Sequence, residues 1–199
     1  MKTNPSIQNG SFLGGSDLQN KTAQVYDLIN SKAGSNQLMQ GISGAFGFPF
    51  TLIADAGVIF THYGPMLNAI RAIYGRSNIS YEVVGPILNG CTSEILADIV
   101  VDKVIGQIPL LGIGANIMCA KTMTWRLGLV FAMISARGEE ISAESVKNAT
   151  KMIRQLFLQK SMFSFKTPSI ATVDQLLGKV SDITIEDFDA KVSKLLAAL

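Results

Sequence analysis

Charged residues are scarce in this chain of 199 residues, making up 16% of it, against about 25% in an ordinary soluble domain. Hydrophobic residues make up 48%, and the mean hydropathy is +0.31. The 17 Lys and Arg nearly balance the 15 Asp and Glu, which leaves a formal net charge of +2. A strongly basic balance is therefore missing, and the composition argues against nucleic acid as a partner.

Cysteine and histidine are scarcer still, which limits the chemistry that the chain can carry. Cys91 and Cys119 stand singly in apolar surroundings, without the spacing of a zinc site or a disulfide framework. His62 is the single histidine, and no GxxxxGK[ST], GxGxxG, GxSxG or HExxH motif occurs. We therefore expect no metal, no cofactor and no catalytic residues, and we predict that the protein is not an enzyme.

Charge is missing above all from two windows of the sequence. From Ala33 to Ile70 the one full charge is Asp55, and from Val104 to Ala120 there is none. Each window is interrupted near its middle by Gly and Pro, around Pro49 and around Pro109, so neither predicts a continuous spanning helix. Because proline ends or kinks a helix, each window predicts a helical hairpin instead.

Apolar residues recur at helical spacing along the chain, and no segment shows sustained strand alternation. We predict an all-α fold, a helical bundle built from two Gly/Pro-broken helical hairpins and flanking amphipathic helices. The predicted helices cover residues 17–31, 38–46, 51–74, 93–105, 115–136, 142–159 and the tail from Thr184, with a break at Gly34 and ends at Gly75 and Gly138. The predicted divisions are a flexible lead at 1–16, a double-hairpin apolar core at 17–140 and amphipathic C-terminal helices at 141–199, in the same domain or as an appendage.

Both predicted hairpin apexes are strongly apolar, although exposed loops are normally polar. The residues concerned are Phe46, Phe48, Pro49, Phe50, Ile108, Pro109, Leu110 and Leu111. An apolar apex is buried either in protein or in lipid, and the first arm, at ~15 Å, is too short to span a ~30 Å hydrocarbon core. Shallow insertion into a membrane and a plug in the core of a soluble bundle both stay open.

Polar residues inside the hairpins predict a seam between them, formed by Asp55, His62, Asp98, Asp102, Lys121 and Arg126. A second apex at residues 111–112 places Asp102 opposite Lys121 and Asp98 near Arg126. A first apex near Phe48 leaves Asp55 without a base opposite it, two helical turns from His62. We expect structural ion pairs and polar contacts here, with a cation site, a proton path and acid/base catalysis as the alternatives.

Basic residues dominate the stretch from Ser145 to Val173, which contains no acidic residue. Its five bases, interleaved with apolar side chains, are Lys147, Lys151, Arg154, Lys160 and Lys166. Such a segment suits the anionic cytoplasmic surface of a membrane, at about 1 kcal/mol per base. An ordinary amphipathic helix packed on the bundle is the alternative.

Two stretches of the chain resemble a known family. GFPFTLIADAGVIFTHYGPMLNAIRAIYG, at residues 47–75, and IPLLGIGANIMCAKTMTWRLG, at 108–128, are similar to the broken helices of the YcjF-like helical domain of unknown function. The resemblance covers about residues 38–140. It implies an all-helical, membrane-associated domain of bacterial inner-membrane proteins that often works beside a GTPase, without established catalytic residues. A GTPase would here be a separate partner.

These features predict a non-enzymatic, membrane-associated helical protein at the cytoplasmic side of the bacterial inner membrane, peripheral or hairpin-inserted. Anchoring, remodelling or partner recruitment would be its role, and we expect self-association into a homo-oligomer. The expected partners are the lipid surface and a GTPase or other protein, with no nucleic acid. A soluble cytoplasmic interaction module that works with a separate GTPase, and a pore-forming or lytic helical protein, are the alternatives.

Overall fold

Helices make up nearly all of what the computed structural model describes, namely residues 15–43, 56–96, 109–156 and 165–180. The six helices are α1 Gly15–Ser43, α2 Ala56–Ile73, α3 Tyr81–Leu96, α4 Pro109–Ala136, α5 Ala143–Leu156 and α6 Ile170–Val180. These four described ranges contain no strand, and the predicted all-α class is confirmed. Most of the predicted lead at 1–16 and the predicted final helix from Thr184 lie outside the described residues.

α1 is longer than the sequence pattern predicts. Val25 and Ile29 lie one helical turn apart on its apolar face and are fully buried. The predicted break at Gly34 is wrong, because α1 continues through it to Ser43. Gly34 is exposed, and a lone glycine costs a helix only about 1 kcal/mol, which is too little to end a helix that is held by its buried face.

α2 and α3 each contain a Gly-Pro step in their interior, at Gly64–Pro65 and at Gly85–Pro86. The predicted end of α2 is confirmed, with Gly75 just beyond it at a φ of 69°. The predicted start of the next helix at Ser93 is wrong, because α3 already begins at Tyr81. Proline withholds one backbone hydrogen bond but has a helical φ, so α3 continues through its step. The predicted residues 97–105 lie outside the described residues.

α4 begins at Pro109 rather than at Ala115. Proline is favoured at the first position of a helix, since its φ is preset and the missing N–H would have no partner there. Residues 111–112 are therefore helical, and the apex predicted at them is wrong. The predicted pairing of Asp102 with Lys121 depended on this apex and is therefore no longer expected. Asp102 itself lies outside the described residues.

The turn from α4 into α5 follows the predicted signals. Gly138 has a φ of 72°, and the N–H of Glu139 donates to the carbonyl of Ile134 at 3.1 Å, which closes the end of α4. The hydroxyl of Ser142 accepts a hydrogen bond from the N–H of Ser145 at 3.0 Å. Ser142 therefore caps α5, and the predicted start of this helix at residue 142 is confirmed.

α6 is not predicted by the patterning described above. Its start is marked by Ser169, whose hydroxyl accepts a hydrogen bond from the N–H of Thr172 at 3.1 Å. Ser169 follows Pro168, so a polar cap and a helix breaker do precede this helix in the sequence. The apolar face of α6 is buried and consists of Val173, Leu176, Leu177 and Val180.

α4 is the central helix of the bundle and contacts α1, α2, α3, α5 and α6. All of its residues from 122 to 135 are buried, including Trp125 and Phe131. At Gly128 a Cβ would lie 2.5 Å from Cγ1 of Ile29, so only glycine permits this approach of α1 to α4. The close packing of these two helices therefore depends on one position without a side chain.

The helix directions follow from contacts near the helix ends. Leu18, at the start of α1, lies beside Gly178 of α6, and Arg137, just after α4, donates to the carbonyl of Val180 at 3.4 Å. The start of α1 and the end of α4 therefore lie together, and these two helices run antiparallel. Arg76, just after α2, contacts Gly138, just after α4, so α2 and α4 run parallel.

The two ends of the bundle differ in charge. We call the end at which α1 begins and α2 and α4 finish the charged end; its ionisable residues include Asp17, Lys21, Arg71, Arg76, Arg137, Glu139 and Glu140. We call the opposite end, formed by helix segments 33–43, 56–61 and 109–120, the uncharged end. These three segments contain no Asp, Glu, Lys, Arg or His.

Candidate functional site

A cluster of polar side chains lies where the uncharged end begins, and Tyr63 of α2 is at its centre. The Tyr63 hydroxyl shares a hydrogen bond with Oγ1 of Thr124 on α4 at 3.3 Å. Nζ of Lys32, on α1, lies 5.9 Å from the centre of the Tyr63 ring. The His62 ring meets the Tyr63 ring edge to face, with 4.8 Å between the ring centres. Three helices thus contribute to one cluster.

Lys32 and His62 form a basic pair within this cluster. Both side chains are half-buried. Burial lowers the pKa of Lys32, and burial together with the positive charge of Lys32 lowers the pKa of His62. Protonation of His62 beside the charged Lys32 is therefore unfavourable. An anion placed beside the two side chains would raise both pKa values.

The predicted polar seam is only partly within the described residues. His62 belongs to the Tyr63 cluster, and Arg126 is buried in α4 with 1% of its surface exposed. Nζ of Lys121 lies 5.9 Å from the centre of the Phe165 ring. The three predicted acidic members lie outside the described residues: Asp55, Asp98 and Asp102.

The residues predicted to insert into a membrane also lie only partly within the described residues. Pro109, Leu110 and Leu111 form the first turn of α4, at the uncharged end. The other candidates lie outside the described residues: Phe46, Phe48, Pro49, Phe50 and Ile108. None of the helices in the described ranges has both the length and the apolar character needed to cross a bilayer.

The predicted basic segment lies only partly within the described residues. Lys147, Lys151 and Lys166 are exposed, Arg154 lies in the last turn of α5, and Lys160 lies outside the described residues. The apolar face of α5 is buried in the bundle and consists of Val146, Ala149, Met152 and Ile153. Because this face already packs against protein, α5 offers its basic face alone to an external surface.

The sequence analysis does not identify Lys32, Tyr63 or Thr124 as site residues. A signal for the first two was present, because an antiparallel hairpin centred on Phe48 pairs residue 32 with residue 64. Thr124 could not be found in this way, since it belongs to a different hairpin. Its contact with Tyr63 depends on how α2 packs against α4.

Two cavities lie elsewhere on the described surface. An open groove of about 650 Å³ is lined by α2 and the start of α3, where the rings of Phe60 and Tyr81 lie 5.9 Å apart. A cavity of about 230 Å³ at the charged end is bordered by Arg137, whose guanidinium pairs with Glu139 at 2.6 Å. The described residues contain no group of side chains that could hold a metal ion.

No family model, curated protein or solved structure matches this chain. A functional argument therefore depends on the chain's own geometry and charges.

Proposed function

We propose that this is a non-enzymatic, membrane-associated helical protein that places its uncharged end in the surface of a lipid bilayer. The observation that carries the proposal is the convergence of uncharged segments 33–43, 56–61 and 109–120, which belong to three different helices. In the sequence, 12 residues separate the first segment from the second, and 47 separate the second from the third. Their common position at one end leaves these helix segments without Asp, Glu, Lys, Arg or His, and the absence of these side chains lowers the cost of leaving water.

The lengths of these segments fit shallow insertion rather than a crossing. Beyond Thr124, which contacts Tyr63, α4 continues for about 22 Å to Pro109 at 1.5 Å per residue. This is less than the ~30 Å of a hydrocarbon core. In the sequence, the apolar residues from Phe46 to Phe50 follow α1 and Ile108 directly precedes α4, and in our proposal they would add to the inserted apolar surface.

An exposed base of the C-terminal part adds an electrostatic component. Lys166 follows Phe165, which lies beside Lys121 next to segment 109–120, and it contributes about 1 kcal/mol near an anionic membrane surface. Lys147 and Lys151 lie on α5, which begins at the charged end. The resemblance to YcjF-like domains extends the proposal to the cytoplasmic face of a bacterial inner membrane. Recruitment of a separate GTPase or another protein, and self-association, would be the uses of such an anchor.

A soluble interaction module is the second candidate function. The observation in its favour is the buried apolar face of α5, including Val146 and Met152, which shows that the bundle itself covers part of the sequence's apolar surface. If the uncharged end is covered in the same way, the function lies with a protein partner.

Flotation of the purified protein with anionic liposomes, at low and at high salt, tests the proposal. Insertion of the uncharged end predicts flotation that survives high salt, whereas surface attraction alone is screened within about 10 Å at 0.1 M salt. No flotation, with a monodisperse protein, would favour the soluble module. Release of an entrapped dye would instead indicate the pore-forming alternative.

Two double variants and two controls assign the binding to one end. Phe48→Ser with Phe50→Ser, and Leu110→Ser with Leu111→Ser, should each remove salt-resistant flotation while helical circular dichroism is kept. Val83→Ser and Ile170→Ser are the matched controls, since these exposed apolar side chains, at 55% and 47% exposure, lie outside the three segments. Equal loss of flotation in the controls would contradict insertion through the uncharged end.

A further inference from the structure

Each helix that contributes to the uncharged end carries a base at the border of its uncharged segment. On α1 the segment 33–43 follows Lys32, on α2 the segment 56–61 precedes His62, and on α4 the segment 109–120 precedes Lys121. All three side chains are half-buried. The border is therefore marked by ionisable groups of one sign on all three helices.

Two of these bases are brought together by a shared aromatic ring. Lys32 and His62 both lie against Tyr63, at 5.9 Å and 4.8 Å from its centre to the ammonium and to the imidazole ring centre. Tyr63 is itself fixed by its hydrogen bond to Thr124. Lys32 is close enough to His62 for its charge to lower the pKa of the imidazole, so a single anion near Tyr63 would interact with both bases.

The position of Lys32 and His62 at the border of the uncharged end indicates which anion they would meet. In a protein whose uncharged segments enter the bilayer, residues at their border lie at the level of the lipid headgroups, where Lys, Arg and His meet phosphate. A lysine ammonium binds phosphate as a point charge, and a protonated imidazole donates from both nitrogens. A phosphate ester is the anionic group that every phospholipid presents at this level.

We propose that Lys32 and His62 bind the phosphate of an anionic phospholipid headgroup at the border of the uncharged end. This inference rests on the proposed membrane association and adds a lipid preference to it. Lys121, on the third helix, lies at the same border and would face headgroups around the bundle rather than at the Tyr63 cluster, since it packs on Phe165.

The single histidine makes the test direct, because the imidazole signals of the chain come from His62 alone. We would titrate His62 by NMR in buffer, in buffer with inorganic phosphate, in phosphatidylcholine nanodiscs and in nanodiscs that contain phosphatidylglycerol. A bound phosphate raises the pKa of a neighbouring histidine, and we expect a rise of about one pH unit or more in the anionic nanodiscs. The zwitterionic nanodiscs should produce a smaller rise.

The negative potential of an anionic surface also raises the pKa of any nearby base, so a reporter for that effect is needed. The Lys166→His variant, prepared with His62→Gln, carries its imidazole at an exposed position next to Phe165, which Lys121 contacts at the same border. The proposal requires a larger rise at His62 than at this reporter. Equal rises would overturn it, because the surface potential alone would then account for both.

The contribution of Lys32 is tested by binding. Lys32→Gln should weaken flotation with anionic vesicles about five-fold, since one base near such a surface contributes about 1 kcal/mol. Lys32→Arg should restore it, and Lys179→Gln, an exposed lysine of α6, is the matched control. A Lys32→Gln protein that binds as well as the control would overturn the proposal.

The remaining outcomes separate this inference from the proposed function. Flotation without a response of His62 overturns the phosphate site alone, as would be expected if Asp55 held the bases instead. An equal response to inorganic phosphate in buffer overturns the lipid assignment. The absence of flotation with any vesicle overturns both proposals.

Discussion

The charged end and the uncharged end of this bundle are organised by different interactions. At the charged end, turns are closed by short polar contacts, such as the Nε of Arg71 donating to the carbonyl of Ser77 at 2.8 Å and the Arg137–Glu139 pair. Asn68 fixes the neighbouring loop by two hydrogen bonds to the backbone of Ile79. At the uncharged end, three helix segments provide no ionisable side chain for such contacts.

One helix connects the two ends and shows what the difference means. α4 is rich in apolar residues along its whole length, from Pro109 to Ala136. Residues 122–135 of α4 are all buried in the bundle, whereas the helix continues beyond the Tyr63–Thr124 contact to Pro109 at the uncharged end. Similar composition therefore serves as core in one half and, in our proposal, as a lipid-facing surface in the other.

The largest expected effect comes from truncating an apolar residue in each half of α4. Phe131→Ala should lower the free energy of unfolding by about 3–5 kcal/mol, because Phe131 is fully buried. Leu111→Ala should cost less than about 1 kcal/mol, as our proposal of a lipid-facing first turn of α4 requires. Urea unfolding followed by circular dichroism measures both. Similar large losses would place Leu111 in the protein core and would remove the distinction between the halves.

An intermediate effect is expected from glycine substitutions that compare a turn with a helix interior. Gly138→Ala should lower the free energy of unfolding by about 1–2 kcal/mol, because its φ of 72° disfavours a Cβ and Arg76 lies against it. Gly34→Ala should raise it by about 0.5–1 kcal/mol, since Gly34 is helical with open space around it. Thermal unfolding of the pair checks the opposite signs, and a gain at Gly138 would contradict the strained turn.

The smallest expected effect is a pH dependence at the border of the two ends. The pKa of His62 is lowered in the folded state by burial and by Lys32, so the unfolded chain takes up the proton first as the pH falls. The free energy of unfolding should therefore decrease from about pH 7.5 to about pH 5.5, around the ordinary histidine value.

Urea unfolding across this pH interval measures the slope, and His62→Gln should remove it, since the chain has no other histidine. A slope that survives the substitution would mean that another group titrates there.

Much of the fold could be predicted from local signals. The caps at Ser142 and Gly138 and the buried face with Val25 and Ile29 were predictable, because a helix cap and a helix period depend on residues close in sequence. The errors at Gly34, at Gly85–Pro86 and at Pro109 have one physical cause. Glycine and proline weaken a helix by a limited amount, and packing of the flanking residues decides whether it continues.

The candidate site was less predictable than the fold. His62 was found because histidine is rare here, and the uncharged windows were visible in the composition. Lys32 and Thr124 were not found, because they reach Tyr63 across helix interfaces rather than along the chain. Contacts between helices depend on which faces pack together, and a single sequence does not state that.

The sequence by itself determined that the protein is helical, that charge is missing from two windows and that a base follows or precedes each uncharged segment. These properties are local, since they depend on helical periodicity and on residue type. Only the tertiary structure decided that the uncharged segments of α1, α2 and α4 lie at one end and that Lys32 and His62 meet at one ring. The direction of each helix in the bundle is set by long-range packing, including the approach of α1 to α4 that Gly128 permits.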